Sequence, residues 1–335
     1  MSEIGLHKIF LFPDKLKKIM AVTVDEPDLT YPITVELSLT NACNLNCVWC
    51  SDAKIRSDRP GEMDLDVLKK LVVDLADGGC KGITIEGGGE PTVYSKFREF
   101  VEFAHASGIS LGLITNGVSS DIVDVADKFE WIRVSVDATT REEYVECKGV
   151  DAFDSVMENV GAFVGRAKTV GVGFIVTSMN MSEPRKFVKK VRGLGVDYVH
   201  FRPVVDAPGM VGDFDSSDVI GLAGGSFSVM CDAMVDNRIR GNAGAPCRAH
   251  SLHSVVVADG SVWICGRLNV YNWWSPIGNL NDAAFRDIWH GETRRTQSAV
   301  ILQREFCSQY CPECRITKYN NSVDRALSAK TIHFI

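Results

Sequence analysis

Between residues 33 and 205, short β-branched runs alternate with longer amphipathic segments, and this alternation constrains the fold more than any other feature of the chain. The runs at 33–39, 83–86, 110–114, 131–136, 171–176 and 197–201 read as strands. The segments at 65–76, 96–106, 152–167 and 183–193 read as helices; in the first, Leu65, Leu68, Leu71, Val72 and Leu75 recur at helical spacing. Six βα units in a row imply a parallel sheet with helices outside, because parallel neighbours require crossover connections. Periodicity leaves open whether such a sheet curls into a barrel. It does place a site, at the carboxyl ends of the strands on the βα loops.

Beyond residue 206 the pattern changes. Ala207-Pro208-Gly209 and the stretch 221–226 interrupt it, a helix is expected at 227–235, and 207–246 reads as a helical linker. Asp259-Gly260 between the apolar runs 253–258 and 261–265 predicts a hairpin. Asn281 is placed as the cap of a short helix through Ile288-Trp289. The expected organisation is an arm (1–30), a βα core (31–206), the linker, a second unit (247–320) and a tail (321–335). Of 335 residues, 45% are hydrophobic and 24% charged, which excludes a disordered chain. The 36 basic residues against 43 acidic ones leave a formal charge of −7, which argues against a duplex nucleic-acid partner. No apolar run nears the roughly 18 residues of a membrane span. The start, Met1-Ser2-Glu3-Ile4, lacks the basic-then-apolar layout of a secretory signal. The expectation is a cytoplasmic chain without a membrane partner.

In a reducing compartment, 11 cysteines point to metal or redox chemistry rather than disulfides. Cys43, Cys47 and Cys50 form one group and Cys247, Cys265, Cys307, Cys311 and Cys314 another; Cys80, Cys147 and Cys231 read as small buried hydrophobes. Three thiolates on one βα loop can converge on an iron–sulfur cube. Four is the norm for such cubes, so three leave one iron open. A zinc knuckle is the competing reading, but structural zinc wants four ligands and no nearby Cys or His completes the set. At the end of the second strand stands Glu86-Gly87-Gly88-Gly89-Glu90-Pro91, whose glycines allow unusual φ angles and close backbone approach. Taken alone it is equally a glycine-rich turn. In the second group, Cys247, Cys265, Cys311 and Cys314 suit either an iron–sulfur cube or a zinc ribbon. Asn320 and its neighbours supply no further thiol.

Cys-x3-Cys-x2-Cys after a first strand, followed one βα unit later by Gly-Gly-Glu-Pro, resembles the radical S-adenosylmethionine (SAM) superfamily. There the open iron of a [4Fe-4S] cluster binds the amino and carboxylate groups of SAM, and one electron releases a 5′-deoxyadenosyl radical. The resemblance covers about residues 33–318. It implies an α/β fold: a partial (β/α)6 TIM-like barrel with a C-terminal α+β SPASM or twitch extension. It also implies roles around SAM. Trp49 presents its backbone to the adenine; Gly88, Gly89 and Glu90 meet the methionyl amino group; Ser135 and Asp137 line the pocket. Lys148 stands where many relatives place the arginine that faces the SAM carboxylate, keeping the charge but losing the bidentate fork. Asn180 falls near the ribose, with a plain turn residue as the alternative, and Thr115-Asn116-Gly117 fits the third loop. Five cysteines rather than seven imply one auxiliary [4Fe-4S] cluster held by Cys247, Cys265, Cys311 and Cys314, with Cys307 able to replace one of the last pair. The segments Ile277-Gly278-Asn279-Leu280 and Ile288-Trp289 also resemble that extension.

The function expected first is an oxidoreductase acting on a small polar molecule, such as a sugar, cyclitol or amino-acid derivative. The auxiliary cluster would accept an electron, and the donor would be a flavodoxin or ferredoxin. The step from Cys247 to Cys265 resembles that of dehydrogenases in the family with one auxiliary cluster. His200 and Arg202 are candidates for substrate contact, with a structural ion pair the alternative for Arg202; one of His200 and Phe201 faces the helices. The second expectation is a peptide maturase forming a crosslink or an epimer, with Cys147, Cys231 or Cys307 as hydrogen donor in the latter case. Against it, residues 1–30 are too few for the peptide-recognition domain, roughly 80 residues long, that many such enzymes carry. The third is a non-catalytic metal-binding module.

Overall fold

The computed structural model describes residues 6–27, 30–204, 208–210, 212, 214–231, 246–271, 274–310 and 316–328. All six expected strands form: β1 (Thr34–Leu37), β2 (Gly82–Ile85), β3 (Ser110–Thr115), β4 (Phe129–Ser135), β5 (Val170–Val176) and β6 (Tyr198–Pro203). Four more follow: β7 (Ser228–Cys231), β8 (His253–Val256), β9 (Ser261–Trp263) and β10 (Gly278–Asn279). They make one sheet in the order β10-β9-β8-β1-β2-β3-β4-β5-β6-β7. From β8 to β7 every neighbouring pair is parallel; β9 and β10 join antiparallel.

The helices form where the apolar spacing places them. In Leu65–Asp77 the Asp64 side chain accepts from the Asp66 and Val67 amides, satisfying two donors that a helix start leaves open. Leu68, Leu71, Val72 and Leu75 are then buried, each stabilising the fold by about 1.5–3 kcal/mol. Phe97–Ala106 and Pro184–Gly193 match their expected ranges closely, whereas the helix expected at 152–167 ends at Phe163. The helix Arg141–Lys148 was not expected. Its signal is a capping box, in which the Thr140 side chain and the Glu143 carboxylate each bond the other's backbone amide.

Two expectations are corrected. Residues 228–231 are strand rather than helix: the stretch pairs parallel with β6, Tyr198 opposite Ser228, so sheet context overrides local preference and the linker supplies β7. The short helix of the second unit starts at Phe285 with Ala284 before it, and Asn281 instead donates to the Asp259 carbonyl at 3.3 Å, closing the hairpin. The arm packs on the rest of the chain, Ile9 and Ile19 clustering with Ala249 and Leu252 of the second unit and Val323 of the tail. The hairpin itself is as expected, and β8 pairs directly with β1, so core and second unit share one sheet. Among the described residues, no helix is long and apolar enough to cross a membrane.

Candidate active site

The loop after β1 carries Cys43, Cys47 and Cys50 and is fastened to three other βα connections. The Thr40 and Ala42 carbonyls accept from the Gly89 and Glu90 amides at 2.9 and 2.8 Å, joining it to the loop after β2. The Asn44 side-chain oxygen accepts from Asn116 at 2.7 Å, joining it to the loop after β3. The amides of Asn46 and Val48 donate to the carbonyls of Lys148 and Cys147 at 3.2 and 3.1 Å, joining it to the end of the helix after β4. Only Leu45 of the residues between Cys43 and Cys50 is buried.

The contact with the β2 loop depends on missing side chains. Gly87 and Gly88 have φ of +75° and +57°, and a Cβ on Gly88 would stand 2.2 Å from the Asn41 side-chain oxygen. A Cβ on Gly89 would stand 1.8 Å from the Ala42 carbonyl oxygen. Glu90 follows, only 3% exposed. Its Oε1 accepts from the Thr92 amide, the Thr92 hydroxyl and the Thr115 hydroxyl, and its Oε2 from the Asn116 amide at 2.8 Å. Burial pushes this carboxyl up, while those four donors favour its ionised form. Glu90 is thus both a clamp between two loops and an acceptor, with Oε2 bearing a single bond.

Asp137, two residues past the end of β4, has a φ of +55°, a strained left-handed conformation for a residue with a side chain. Its Oδ1 accepts from the Ile175 amide at 2.6 Å, and Oδ2 forms an ion pair with Lys148, both side chains 3% exposed. Burial disfavours the lysine charge, but the adjacent Asp137 carboxylate outweighs it and the ammonium ends above its ordinary pKa. Lys148 Nζ also lies 3.4 Å from the Ser135 carbonyl and 5.7 Å from the Trp49 ring centroid. The lysine expected to face a carboxylate from SAM therefore reaches the site with its charge already paired. Asn180 takes the turn alternative. Its side-chain oxygen accepts from the Thr177 amide and hydroxyl, and its nitrogen donates to the Asp137 and Ile175 carbonyls. With no amide capacity left, it staples the turn after β5 rather than waiting for a ribose.

On β6, Phe201 packs on Phe174, which in turn meets Phe187 of the outer helix, so Phe201 faces the helices. His200 and Arg202 alternate with it and face the interior.

The chemistry of the triplet fits an iron–sulfur cube. Burial pushes the Cys47 and Cys50 thiols up, with the Lys148 charge opposing this at Cys47, so their thiolates need a cation. Among the described residues, no three Cys, His, Asp or Glu side chains converge where one ion would sit. A cube needs no such convergence, because each thiolate takes its own iron.

Of the second cysteine group, Cys247 and Cys265 lie at the other end of the sheet. β8 runs alongside β1 from His253 opposite Thr34, so Cys247 precedes the pair at its amino end, and β9 runs back toward that end before Cys265. The four residues of β1 span about 13 Å between the two ends. Cys247 is buried and Cys265 half-buried. Cys311 and Cys314 lie outside the described residues, as does the side chain of Cys307 on the helix Arg304–Tyr310. Two residues that sequence reasoning passed over stand beside Cys247: Asn320 donates to its sulfur, and His250 contacts its carbonyl. An isolated Asn or His in a helical pattern offers no signal for such a role.

Comparison with known proteins agrees with this layout. Residues 37–191 match the radical SAM superfamily and residues 247–315 match SPASM, an iron–sulfur cluster-binding domain. The chain is 26% identical over 311 residues to mycofactocin maturase MftC of Mycobacterium tuberculosis, covering 82% of this chain and 75% of that protein. It is 30% identical over 174 residues to a probable GTP 3′,8-cyclase of Saccharolobus islandicus, covering 50% of this chain and 55% of the cyclase. Among solved structures, Streptococcus suis SuiB bound to the precursor peptide SuiA superposes with a TM-score of 0.64 at 15% identity, covering 92% of this chain and 76% of SuiB. The anSMEcpe structure with bound AdoMet superposes at 0.59 and 18% identity, covering 86% and 88%. Cysteine spacing, glycine loop, parallel sheet and both family matches converge: this chain belongs to the radical SAM superfamily and carries a C-terminal SPASM domain, with the SAM-binding [4Fe-4S] and auxiliary iron–sulfur cofactors of such proteins.

Proposed function

We propose that this chain is a radical SAM peptide maturase. The observation that carries the peptide reading is the reach of the likeness: the maturase match covers 82% of the chain, whereas the cyclase match covers 50%, close to the extent of the radical SAM core. The cysteine step that suggested a small polar substrate is a single spacing, and it weighs less than likeness through both halves.

Cys43, Cys47 and Cys50 are the ligands of the SAM-site cluster in this reading, with Cys247, Cys265, Cys311 and Cys314 holding the auxiliary one. When bound, cluster and SAM supply one-electron cleavage of a sulfonium, giving a carbon radical that abstracts hydrogen. The chain supplies position. Gly88 and Gly89 let backbone approach the methionyl end, and Glu90 Oε2, which carries only the Asn116 bond among the described residues, is the acceptor for its ammonium. The Lys148–Asp137 pair holds the Trp49 side of the cysteine loop, and Ser135 ends the adjoining strand. His200 and Arg202, facing inward on β6, are placed to meet substrate. Electrons come from a flavodoxin- or ferredoxin-type donor.

The test uses an extract of cells grown on deuterated amino acids, separated into peptide and small-molecule fractions. The reconstituted, reduced enzyme with SAM should yield deuterated 5′-deoxyadenosine from the peptide fraction. Deuterium arriving only from the small-molecule fraction would overturn the peptide reading and restore the small polar substrate.

A further inference from the structure

Asn320 lies on the C-terminal helix Thr317–Leu327 and is 1% exposed. Its Oδ1 accepts from the Ala249 amide at 2.7 Å, and its Nδ2 donates to Cys247 Sγ at 3.3 Å. One amide therefore grips the sulfur of Cys247 and the backbone two residues beyond it. On the far side, His250 is fully buried. Its Nδ1 donates to the Cys247 carbonyl, leaving Nε2 to accept from the Ser298 hydroxyl at 3.2 Å. Cys247 itself is 5% exposed.

We propose that Asn320 is a positioning residue that raises the reduction potential of the auxiliary cluster through its hydrogen bond to Cys247 Sγ. The proposal rests on the reading of Cys247 as a ligand of that cluster. An added electron increases negative charge on the ligand sulfurs, so an N–H aimed at one of them stabilises the reduced state more than the oxidised state. Burial acts the other way, because a low-dielectric surrounding disfavours the extra charge. At Cys247 the amide opposes the burial, and the cluster becomes the better electron acceptor. A merely structural Asn320 would act through its bond to the Ala249 amide alone. The two roles separate chemically, since Asp at 320 keeps an acceptor for that amide and removes the donor to sulfur.

The experiment is an EPR-monitored redox titration of the reconstituted full chain in a Cys43→Ala/Cys47→Ala/Cys50→Ala background, where only the auxiliary cluster remains. Asn320→Leu should lower its potential, and Asn320→Asp should lower it further by placing a carboxylate beside the sulfur, with iron content retained in the latter. An unchanged potential in Asn320→Asp at full iron content would overturn the proposal. So would loss of iron from Asn320→Asp with secondary structure intact, which would mark a holding role alone. A background protein that takes up no iron would instead overturn the ligand reading of Cys247, and the role of Asn320 with it.

Discussion

The two ends of the sheet hold their cysteines by different means. At the carboxyl end the triplet loop is fixed by main chain: carbonyls of Thr40 and Ala42 meet amides of the glycine loop, and carbonyls of Cys147 and Lys148 meet amides of the cysteine loop. Contacts there are so close that Gly89 has no space for a Cβ. At the amino end Cys247 is gripped by side chains, Asn320 at its sulfur and His250 at its carbonyl. The lesson is one of tolerance. A site assembled from backbone breaks when any atom is added, whereas a site assembled from side chains can lose one and keep its shape.

The largest expected effect is that of Gly89→Ala. Its Cβ would meet the Ala42 carbonyl at 1.8 Å, so the two loops must separate. Displacement of about 1 Å at a reacting site costs about 100-fold in rate, and 5′-deoxyadenosine release should fall by about that factor while circular dichroism stays native. If Gly89→Ala retains full activity, the backbone contact is not what builds the site. Next in size is Lys148→Met, which strands a buried carboxylate and should destabilise the fold by about 3–5 kcal/mol in denaturant unfolding. Adding Asp137→Asn should recover much of that loss; failure to recover would mean that Lys148 acts other than through Asp137.

Between the two ends the core sets a reference. Leu71→Ala, at a residue 2% exposed, should lower stability by about 2–5 kcal/mol and leave SAM cleavage per folded molecule unchanged. The smallest effect is expected at the seam of core and second unit, where the Tyr31 hydroxyl donates to Asp74 at 2.9 Å. Burial pushes this phenol up to about 12, with Arg286 opposing and Asp74 adding to the rise. Because the folded pKa exceeds the ordinary value near 10, its contribution is present below about pH 10 and lost as pH climbs through 12. Tyr31→Phe should cost about 0.5–1.5 kcal/mol at neutral pH and flatten that alkaline limb in a pH series of unfolding curves.

The same contrast explains what could be read from the residues. β1 to β6 were legible because their apolar, β-branched runs are buried on a parallel sheet, a local pattern with one reading. β7 was not, since Ser228-Val229-Met230-Cys231 has no strand signature until β6 offers an edge. The triplet and Gly88-Gly89-Glu90 stood out in the sequence because bare backbone and clustered thiols leave few residue types to choose from. Asn180 was left between two readings because an Asn at a turn looks alike whether it binds a ligand or its own loop; its four filled hydrogen bonds favour the turn. The role of Asn320 was invisible for a related reason, as it lies 73 residues along the chain from the sulfur that it serves, and His250, three residues from Cys247, looks like any buried histidine.

The central claim is that the carboxyl-end triplet alone builds the SAM-cleaving site while the amino-end cysteines serve a second cluster. Its most direct test is the yield of 5′-deoxyadenosine from reduced, iron-reconstituted protein with SAM, compared between Cys43→Ala/Cys47→Ala/Cys50→Ala and Cys247→Ala/Cys265→Ala. The account predicts none from the first variant and a substantial yield from the second. Equal yields from the two, or cleavage surviving in the first, would contradict it.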